Sequence, residues 1–290
     1  MHRAPRADGD ELKACAELPE GPEIRRAADK IAAKLRGQVV DTVWFGLPRL
    51  EPFAPKLTGR RVVELETRGK ALLIHFEHGL SLYSHNQLYG RWFVRSRENY
   101  PKTNRSLRVA LHTAEASALL YSASEIAVLD ERDLGEHPFL SKIGPDLLSR
   151  DLSTRALVAQ LRASRFRNRA LGSLYLDQRF VAGIGNYLRS EILYFARVHP
   201  KQRPSDLESA VQRKLAAETL AVGRRAYELG GITNTPRHVA RLKKKGLKRR
   251  DFRHAVFGRA AKPCYRCGTA IEKLSVASRR LYLCPSCQGV

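Results

Sequence analysis

Near its N-terminus the chain reads Leu18-Pro19-Glu20-Gly21-Pro22-Glu23-Ile24-Arg25-Arg26. As an ordinary helix start, this stretch places Pro22 near the first turn, and its acidic residues complement the helix dipole. The same residues also permit chemistry. If Pro19 carried a free secondary amine, that amine could attack an aldehydic carbon and form an iminium, and Glu20 would lie beside it as a proton donor. Both interpretations are open at this point, and the remaining sequence decides between them.

The net charge of the chain indicates a polyanionic partner. Among 290 residues, 52 are Lys or Arg and 29 are Asp or Glu, which gives a formal net charge of +23. Nucleic acid is the usual partner of such a protein, and an acidic membrane surface is the main alternative. No apolar run reaches the roughly 18 residues of a membrane-spanning helix, and residues 1–17 lack the apolar segment of a secretory signal. We therefore expect a reducing cytosol or nucleoid and no membrane partner.

Hydrophobic periodicity divides the chain into a strand-rich part and a helical part. A helix is predicted from Glu23 to Leu35, ended by Gly37. Short strands are then predicted at Val39–Phe45, Arg61–Thr67, Ala71–Glu77, Leu80–Ser84, Arg91–Val94, Leu107–His112, Ala118–Tyr121 and Ile126–Leu129. Strands at this spacing indicate a β-sandwich or barrel. Beyond a boundary at 140–152, helices are predicted at Thr154–Ala163, Leu171–Asp177, Gly185–Val198 and Ser205–Leu229, so the fold class is α+β multidomain.

The cysteines give the most specific pattern in the sequence. Four of the five form two CxxC pairs, Cys264 with Cys267 and Cys284 with Cys287, separated by sixteen residues. This layout is typical of a four-cysteine zinc ribbon with a closed, structural site. Two disulfides are the alternative, which a reducing compartment disfavours. The residues between the pairs, Ile271–Leu283, are predicted to form a β-hairpin that can present an arginine to a phosphate.

Three further stretches are ambiguous on their own. The first, Gln178–Leu188, places glycines before a helix that opens at Asn186, where free amides can bind phosphate or an ordinary N-cap can form. The second carries Lys70 into an apolar strand, where an edge lysine with its head in solvent is the plain interpretation. The third, His85–Gly90, is either a hairpin with a packed aromatic residue or an apolar wedge that enters a base stack.

A strongly basic segment runs from Arg237 to Arg253. It contains nine Lys or Arg residues and a single acid, Asp251. We expect a flexible, solvated basic loop, and the functional interpretation compatible with it is an arm that follows phosphates.

Taken together, these residues resemble one family, bacterial endonuclease VIII within the formamidopyrimidine-DNA glycosylase superfamily. The matching stretches are Pro19–Arg26, Glu66–Leu73, Leu82–Gly90, Ser164–Arg169, Gly185–Leu188 and the zinc ribbon, and they follow one another over residues 19–288. The resemblance implies a β-sandwich, a helix–two-turn–helix domain and a zinc finger. It also implies a bifunctional DNA glycosylase and abasic-site lyase of base excision repair, which removes oxidised pyrimidines by Schiff-base chemistry with β,δ-elimination.

The resemblance also implies roles for individual residues. Pro19 would be the Schiff-base nucleophile, Glu20 the proton donor that helps to open the sugar, and Lys70 an acid or base on the phosphate side. Phosphates at the lesion would be held by Asn186 and Arg279, although Arg280 directly follows Arg279 and is the alternative. The gap left by the flipped nucleotide would be filled by Gln87, Leu88 and Tyr89.

The same resemblance sets the expected organisation and partners. Residues 1–18 would be a leader outside the mature enzyme, 19–145 the catalytic domain, 146–250 the helix–two-turn–helix domain and 251–290 the zinc-finger domain. One structural Zn²⁺ and no organic cofactor are expected. The partner would be damaged double-stranded DNA, bound by a monomer in the bacterial cytoplasm in association with the nucleoid.

One departure from the family pattern bears directly on the chemistry. In the family the proline follows the initiator methionine, whereas here Leu18 and seventeen earlier residues precede it. The nitrogen of an internal proline belongs to a planar amide and is not nucleophilic. We expect that Leu18 marks the true start, decoded from an alternative initiation codon and then removed. Proteolytic removal of the leader and a DNA binder without lyase activity are the alternatives.

Other functions compatible with the sequence differ in what they predict. A damage-sensing protein would bind abasic-site DNA without cleaving it. A zinc-ribbon factor associated with RNA is disfavoured by the matches at Pro19–Arg26 and Gln87–Tyr89. Within the enzyme class, the branch that removes oxidised purines is the alternative.

Overall fold

The N-terminal half of the chain forms a β-sandwich, as predicted. The computed structural model describes residues 19–85 and 89–289. In this part of the chain, one sheet has the strand order β1-β3-β4-β5-β9 and the other the order β2-β7-β8-β6. The strands are β1 Val39–Val40, β2 Thr42–Phe45, β3 Arg60–Arg68, β4 Ala71–Phe76, β5 Ser81–His85, β6 Arg91–Ser96, β7 Leu107–His112, β8 Ala116–Tyr121 and β9 Glu125–Leu129.

A single apolar core fills the sandwich. Alternate residues of a strand face the same side, so Leu72 and Ile74 of β4 and Val109 and Leu111 of β7 meet in one buried cluster. The first helix, α1 (Gly21–Leu35), closes one side of this core. Its buried residues recur at helical spacing, namely Ile24, Ala28, Ile31 and Leu35. The N-terminus of α1 therefore lies at a fixed position beside the sandwich.

The second half of the chain is helical and shares its core with the cysteine module. Its helices are α4 Thr154–Arg162, α5 Leu171–Leu174, α6 Asn186–Ala196, α7 Ser209–Glu228, α8 Pro236–Lys244 and α9 Arg249–Phe252. The predicted hairpin forms from β10 (Glu272–Val276) and β11 (Arg279–Leu283), which pair antiparallel. Leu281 and Leu283 of β11 are buried in the same cluster as Leu188 and Ile192 of α6. The hairpin is thus held against the helix that begins at Asn186.

Four details differ from the sequence-based expectations. Val39–Phe45 is divided between two sheets, because Asp41 separates β1 from β2. Two helices are shorter than predicted: α5 ends at Leu174, and α7 begins at Ser209 after a 3₁₀ turn at Pro204–Asp206. Further short elements that the periodicity did not indicate are a 3₁₀ turn at Pro48–Phe53, α2 Ala54–Leu57 and α3 Glu131–Glu136.

The fourth difference is that the basic segment 237–253 is not an irregular loop, and that prediction was wrong. It contains α8 and α9, because Val239, Leu242 and Phe252 recur at spacings that bury them with Ile232 in a small apolar cluster. Because most residues of this segment are charged, the sparse apolar pattern was not recognised in the sequence.

Within the described residues no helix is both long and apolar enough to cross a membrane.

Candidate active site

Three glycines bring three distant segments of the chain into contact. The Gly21 amide donates to the Gly183 carbonyl at 2.8 Å. A Cβ added at Gly69 would lie 2.9 Å from the Ala182 Cβ, and the φ angles of Gly69 and Gly183 are +63° and +98°, which suit glycine. The start of α1, the β3–β4 turn and the loop before α6 therefore meet at one point. This contact brings Glu20, Lys70 and Asn186 into the same region.

The carboxylate of Glu20 caps the N-terminus of α6. It accepts hydrogen bonds from the backbone amides of Gly185 at 2.7 Å, Tyr187 at 2.9 Å and Leu188 at 3.2 Å. Glu20 is 2 % exposed. The interpretation of this helix start as a free phosphate site was therefore wrong, because three of its amides are already occupied by an acid from the start of α1.

Lys70 faces Glu20 across Gly185. A Cβ at Gly185 would lie 2.5 Å from Glu20 Oε1 and 2.8 Å from Lys70 Nζ, so both groups lie against this glycine. Burial raises the pKa of Glu20 to about 7, with Lys70 and the helix amides opposing that rise. Burial lowers the pKa of Lys70, with Glu20 opposing and nearby Arg279 adding to the decrease. Near neutral pH the site therefore holds a carboxyl able to give a proton, beside an amine whose pKa is lower than that of an ordinary lysine.

Substitution of Gly185 by alanine tests this geometry. Gly185 has an extended backbone with a φ of −132° that alanine can adopt, so the expected effect comes from displacement of Glu20 and Lys70. We expect an activity loss of about 10² or more with a loss of unfolding free energy of only about 1–3 kcal/mol. The measurements are single-turnover cleavage of damaged duplex DNA, the substrate that the sequence resemblance implies, and thermal unfolding.

The matched control is Gly135→Ala in α3, where an added Cβ meets nothing within 4 Å. Near-normal cleavage by Gly185→Ala would contradict the close packing of the two groups.

Two further acids hold parts of the site in position. Neither was predicted from the sequence as a site residue. Glu23 accepts hydrogen bonds from the Tyr187 hydroxyl at 2.9 Å and from the Glu20 amide at 3.1 Å. Asp146 accepts from the Gly69 amide at 2.6 Å and so holds the turn that carries Lys70. Glu23 could have been found as the N3 residue of a capping box, whereas Asp146 acts across 77 residues of sequence and had no local pattern.

A buried arginine connects α6 to the hairpin. Arg189 is fully buried, and its guanidinium donates to the carbonyl of Arg280 at 3.1 Å and to the Asn186 Oδ1 at 3.4 Å. Arg279, at the start of β11, is exposed and near enough to Lys70 to lower its pKa. The structure thus brings Asn186 and Arg279 to the same side of the site as Lys70.

The loop between β5 and β6 contains the remaining predicted DNA-binding residues. Gln87 and Leu88 lie outside the described residues. Tyr89 is 65 % exposed, and its carbonyl accepts a hydrogen bond from Arg105 Nη1 at 2.5 Å. An exposed aromatic side chain at this position is available to a partner.

The four paired cysteines form one cluster. The Sγ atoms of Cys264, Cys267, Cys284 and Cys287 all lie within 4.8 Å of one another. A tetrahedral zinc with bonds of about 2.3 Å to sulfur requires sulfur–sulfur separations of about 3.8 Å. Separations such as 4.0 Å for Cys264–Cys287 and 3.5 Å for Cys267–Cys287 fit that requirement.

Comparisons with known families agree with this architecture. The family model described as Formamidopyrimidine-DNA glycosylase N-terminal domain matches residues 18–137, and that of the H2TH domain of the same family matches residues 143–237. A third model, described as the zinc finger found in FPG and IleRS, matches residues 261–290.

Curated relatives and solved structures add detail. The chain is 45 % identical over 271 residues to Endonuclease 8 of Klebsiella pneumoniae, covering 93 % of this chain and 100 % of the relative. It is 46 % identical to Endonuclease 8 of Salmonella agona over the same shares. A structure of Lactococcus lactis Fpg bound to DNA with an oxidised pyrimidine superposes with a TM-score of 0.77 at 23 % identity, covering 94 % of this chain and 100 % of that chain. A structure of MutM with DNA containing carbocyclic 8-oxo-G gives a TM-score of 0.76 at 22 % identity, covering 94 % and 100 %.

These findings place the protein in the class of DNA glycosylases with abasic-site lyase activity that act in base excision repair of oxidised bases. Within that class, the chain belongs to the formamidopyrimidine-DNA glycosylase family.

Proposed function

We propose that this protein removes oxidised pyrimidines from duplex DNA and then cleaves the strand by β,δ-elimination through a Schiff base on Pro19. The observation that carries the proposal is the buried Glu20 carboxyl, with a pKa of about 7, next to Pro19 and opposite Lys70. A carboxylic acid kept partly neutral at physiological pH is suited to proton donation. The identity of 45 % to Endonuclease 8 over nearly the whole chain supports the same assignment.

The proposed reaction begins at the C1′ carbon of the damaged nucleotide. The free amine of Pro19 attacks C1′, and the bond from C1′ to the base breaks. The base leaves with the electron pair and takes up the proton that the amine loses, and Glu20 gives a proton to the sugar ring oxygen as the ring opens. The resulting iminium withdraws electrons and acidifies C2′. Loss of a C2′ proton releases the 3′-phosphate, and a second elimination releases the 5′-phosphate. Lys70 is proposed to accept or give a proton on the phosphate side.

DNA would be held by groups around this centre. Asn186 and Arg279 are proposed to bind the phosphates beside the damaged nucleotide, and Arg189 fixes their relative position through its hydrogen bonds to Asn186 and to the Arg280 carbonyl. A base inside a duplex shields C1′, so the nucleotide must be flipped out of the stack. The exposed Tyr89, together with Gln87 and Leu88, is proposed to fill the gap.

Substrate choice tests the proposal. With a chain that begins at Pro19, we expect faster excision of thymine glycol than of 8-oxoguanine from otherwise identical duplexes, measured under single-turnover conditions. The reverse order would place the protein in the branch that removes oxidised purines. Binding of both duplexes without cleavage of either would indicate a damage sensor.

The cysteine cluster is proposed to hold one structural zinc ion. Bound there, zinc would fold the module that carries Arg279 and would take no part in the chemistry, because all four positions are protein thiolates. Substitution Cys287→Ser should remove the metal, lower the thermal unfolding midpoint by several degrees and weaken binding to abasic-site DNA by about 10-fold or more.

Metal analysis, calorimetry and DNA binding check this expectation, with Ser286→Ala as the control because Ser286 is exposed, lies between the second pair of cysteines and offers no thiolate. Retention of a full equivalent of zinc by Cys287→Ser would contradict the four-thiolate assignment.

A further inference from the structure

Helix α8 (Pro236–Lys244) presents a basic face that the proposed mechanism does not use. Its apolar side is buried through Val239 and Leu242. The opposite side is exposed, and its basic residues are Arg237, Arg241 and Lys244, followed by Lys245 at the C-cap. The sequence from Leu229 to Arg250 contains no Asp or Glu.

The charges on this face are not balanced within the described chain. No carboxylate of residues 19–85 or 89–289 lies within ion-pair distance of Arg237, Lys244 or Lys245. Arg237 and Arg241 are four residues apart, as are Arg241 and Lys245, and like charges at this spacing repel each other on a helix. Cations in the last turn are favoured by the helix dipole, but Arg237 is in the first turn, where the dipole opposes a cation. A bound polyanion would remove both costs.

The chain leading into α8 is attached directly to the residues around the active site. The Thr233 hydroxyl donates to the buried Glu191 carboxylate at 2.5 Å, and the Thr233 amide donates to the Arg253 carbonyl at 2.9 Å. Arg253 in turn lies 3.6 Å from Glu23, which holds the start of α1. The base of α8 is therefore fixed relative to Glu20.

A second contact fixes α8 relative to the cysteine module. The ring of His238 lies 4.8 Å from the ring of Tyr265, which follows Cys264. The Tyr265 hydroxyl donates to the carbonyl of Asp251, just before Phe252 packs under α8. Helix α8 is thus supported by α9 and by Tyr265 of the cysteine module, and the chain that leads into it is tied to Arg253.

We propose that the basic face of α8 binds the phosphate backbone of duplex DNA beside the damaged nucleotide and extends the interface beyond Asn186 and Arg279. This inference rests on the proposed function, because it takes damaged duplex DNA as the ligand. Duplex DNA fits the face because its phosphates form a dense, regular array of negative charge that these four cations can follow. The interactions are with the backbone, so they add affinity without reading sequence.

The test measures the salt dependence of DNA binding. The full chain and the variant Arg237→Gln/Arg241→Gln/Lys244→Gln/Lys245→Gln are titrated with a 30-base-pair duplex that carries a tetrahydrofuran abasic-site analogue, which cannot form a Schiff base. Removal of one cation that neutralises a phosphate should reduce the slope of log Kd against log salt by about 0.9. We expect a reduction of about 2 or more and a Kd about 10-fold or more higher at 0.1 M salt.

The matched control removes the same number of charges far from α8. Lys34, Arg36, Lys56 and Arg60 are exposed. The first two lie at the end of α1 opposite Gly21, Arg60 lies at the end of β3 opposite Gly69, and Lys56 lies in α2. Their substitution by Gln should change the slope by less than half as much. The charge-keeping variant Arg237→Lys/Arg241→Lys should retain the slope of the full chain, which separates charge from folding.

Each part of the hypothesis can fail on its own. Equal slopes for the full chain and the α8 variant, or an equal effect of the control variant, would overturn the role of α8. A larger change with single-stranded RNA than with the duplex would overturn the choice of ligand. If the full chain bound the abasic-site duplex no better than undamaged duplex, the proposed function would fail instead.

Discussion

A chain that begins at Pro19 is expected to form a borohydride-stable cross-link with abasic-site DNA, whereas the chain that retains Leu18 is not. With Leu18 in place, the Pro19 nitrogen belongs to an amide and has no available lone pair. As a terminal amine with a pKa near 8, it would be uncharged at neutral pH more often than an ordinary lysine by a factor of about 10² to 10³. The expected difference in trapping is at least of that order.

The measurement compares the two chains on the same abasic-site duplex, followed by peptide mapping of the cross-link. Lys70 is the other amine that the structure places beside Glu20, and burial lowers its pKa. Equal trapping of both chains, with the cross-link mapped to Lys70, would contradict the assignment of Pro19. A Pro19 chain carrying Lys70→Gln provides the control, because it should still be trapped if Pro19 is the nucleophile.

The fold was predictable wherever local patterning matched the final environment. Eight strand segments alternate or cluster apolar residues as a half-buried sheet requires, and the two CxxC pairs specify their own module. The division of Val39–Phe45 between two sheets depends on which neighbours each half finds, and the sequence of a single strand does not contain that information. In the basic segment, only the apolar residues Val239, Leu242 and Phe252 indicate a buried face, and charged residues surround them in the sequence.

The site was predictable as a set of residues but not as an arrangement. Resemblance to a family picked out Glu20, Lys70 and Asn186, and the structure places all three around Gly185. The sequence could not show that the Glu20 carboxylate accepts hydrogen bonds from the backbone amides at the start of α6. Neither could it show that Asp146 holds the turn before Lys70, since these hydrogen bonds join segments 165 and 77 residues apart. Such long-range hydrogen bonds depend on how two domains pack.

Replacement of Glu20 by glutamine is expected to abolish most base excision while sparing the lyase reaction on a preformed abasic site. Glutamine fills nearly the same volume, and its one amide oxygen can still accept from part of the α6 amides, but it has no labile acidic proton to give. We expect single-turnover excision of a damaged base to fall by about 10² to 10⁴. An abasic site already has an accessible open-chain aldehyde, so its cleavage needs less help from the acid and should fall much less.

The pH dependence provides the sharper part of this experiment. Burial raises the pKa of Glu20 to about 7, so its carboxyl is mainly protonated below that pH and mainly ionised above it. Excision by the unaltered Pro19 chain should decrease as pH rises through about 7, and the free amine of Pro19 should limit the rate on the acidic side of about 8, which gives a bell-shaped profile. The Glu20→Gln variant should lose the alkaline decrease and keep the acidic one.

The same pKa shift has a consequence for stability, and its sign is opposite to that of a salt-bridged acid. Because the folded protein holds the proton on Glu20 more tightly than the unfolded chain does, Glu20 favours the folded state less as pH rises from about 4.5 towards 7. The unfolding free energy of Glu20→Gln relative to the unaltered chain should therefore increase over this range. Glu136→Gln, at an exposed position of α3, should show no such trend.

If Glu20→Gln excised damaged bases at the normal rate with an unchanged pH profile, Glu20 would cap α6 and take no part in the reaction.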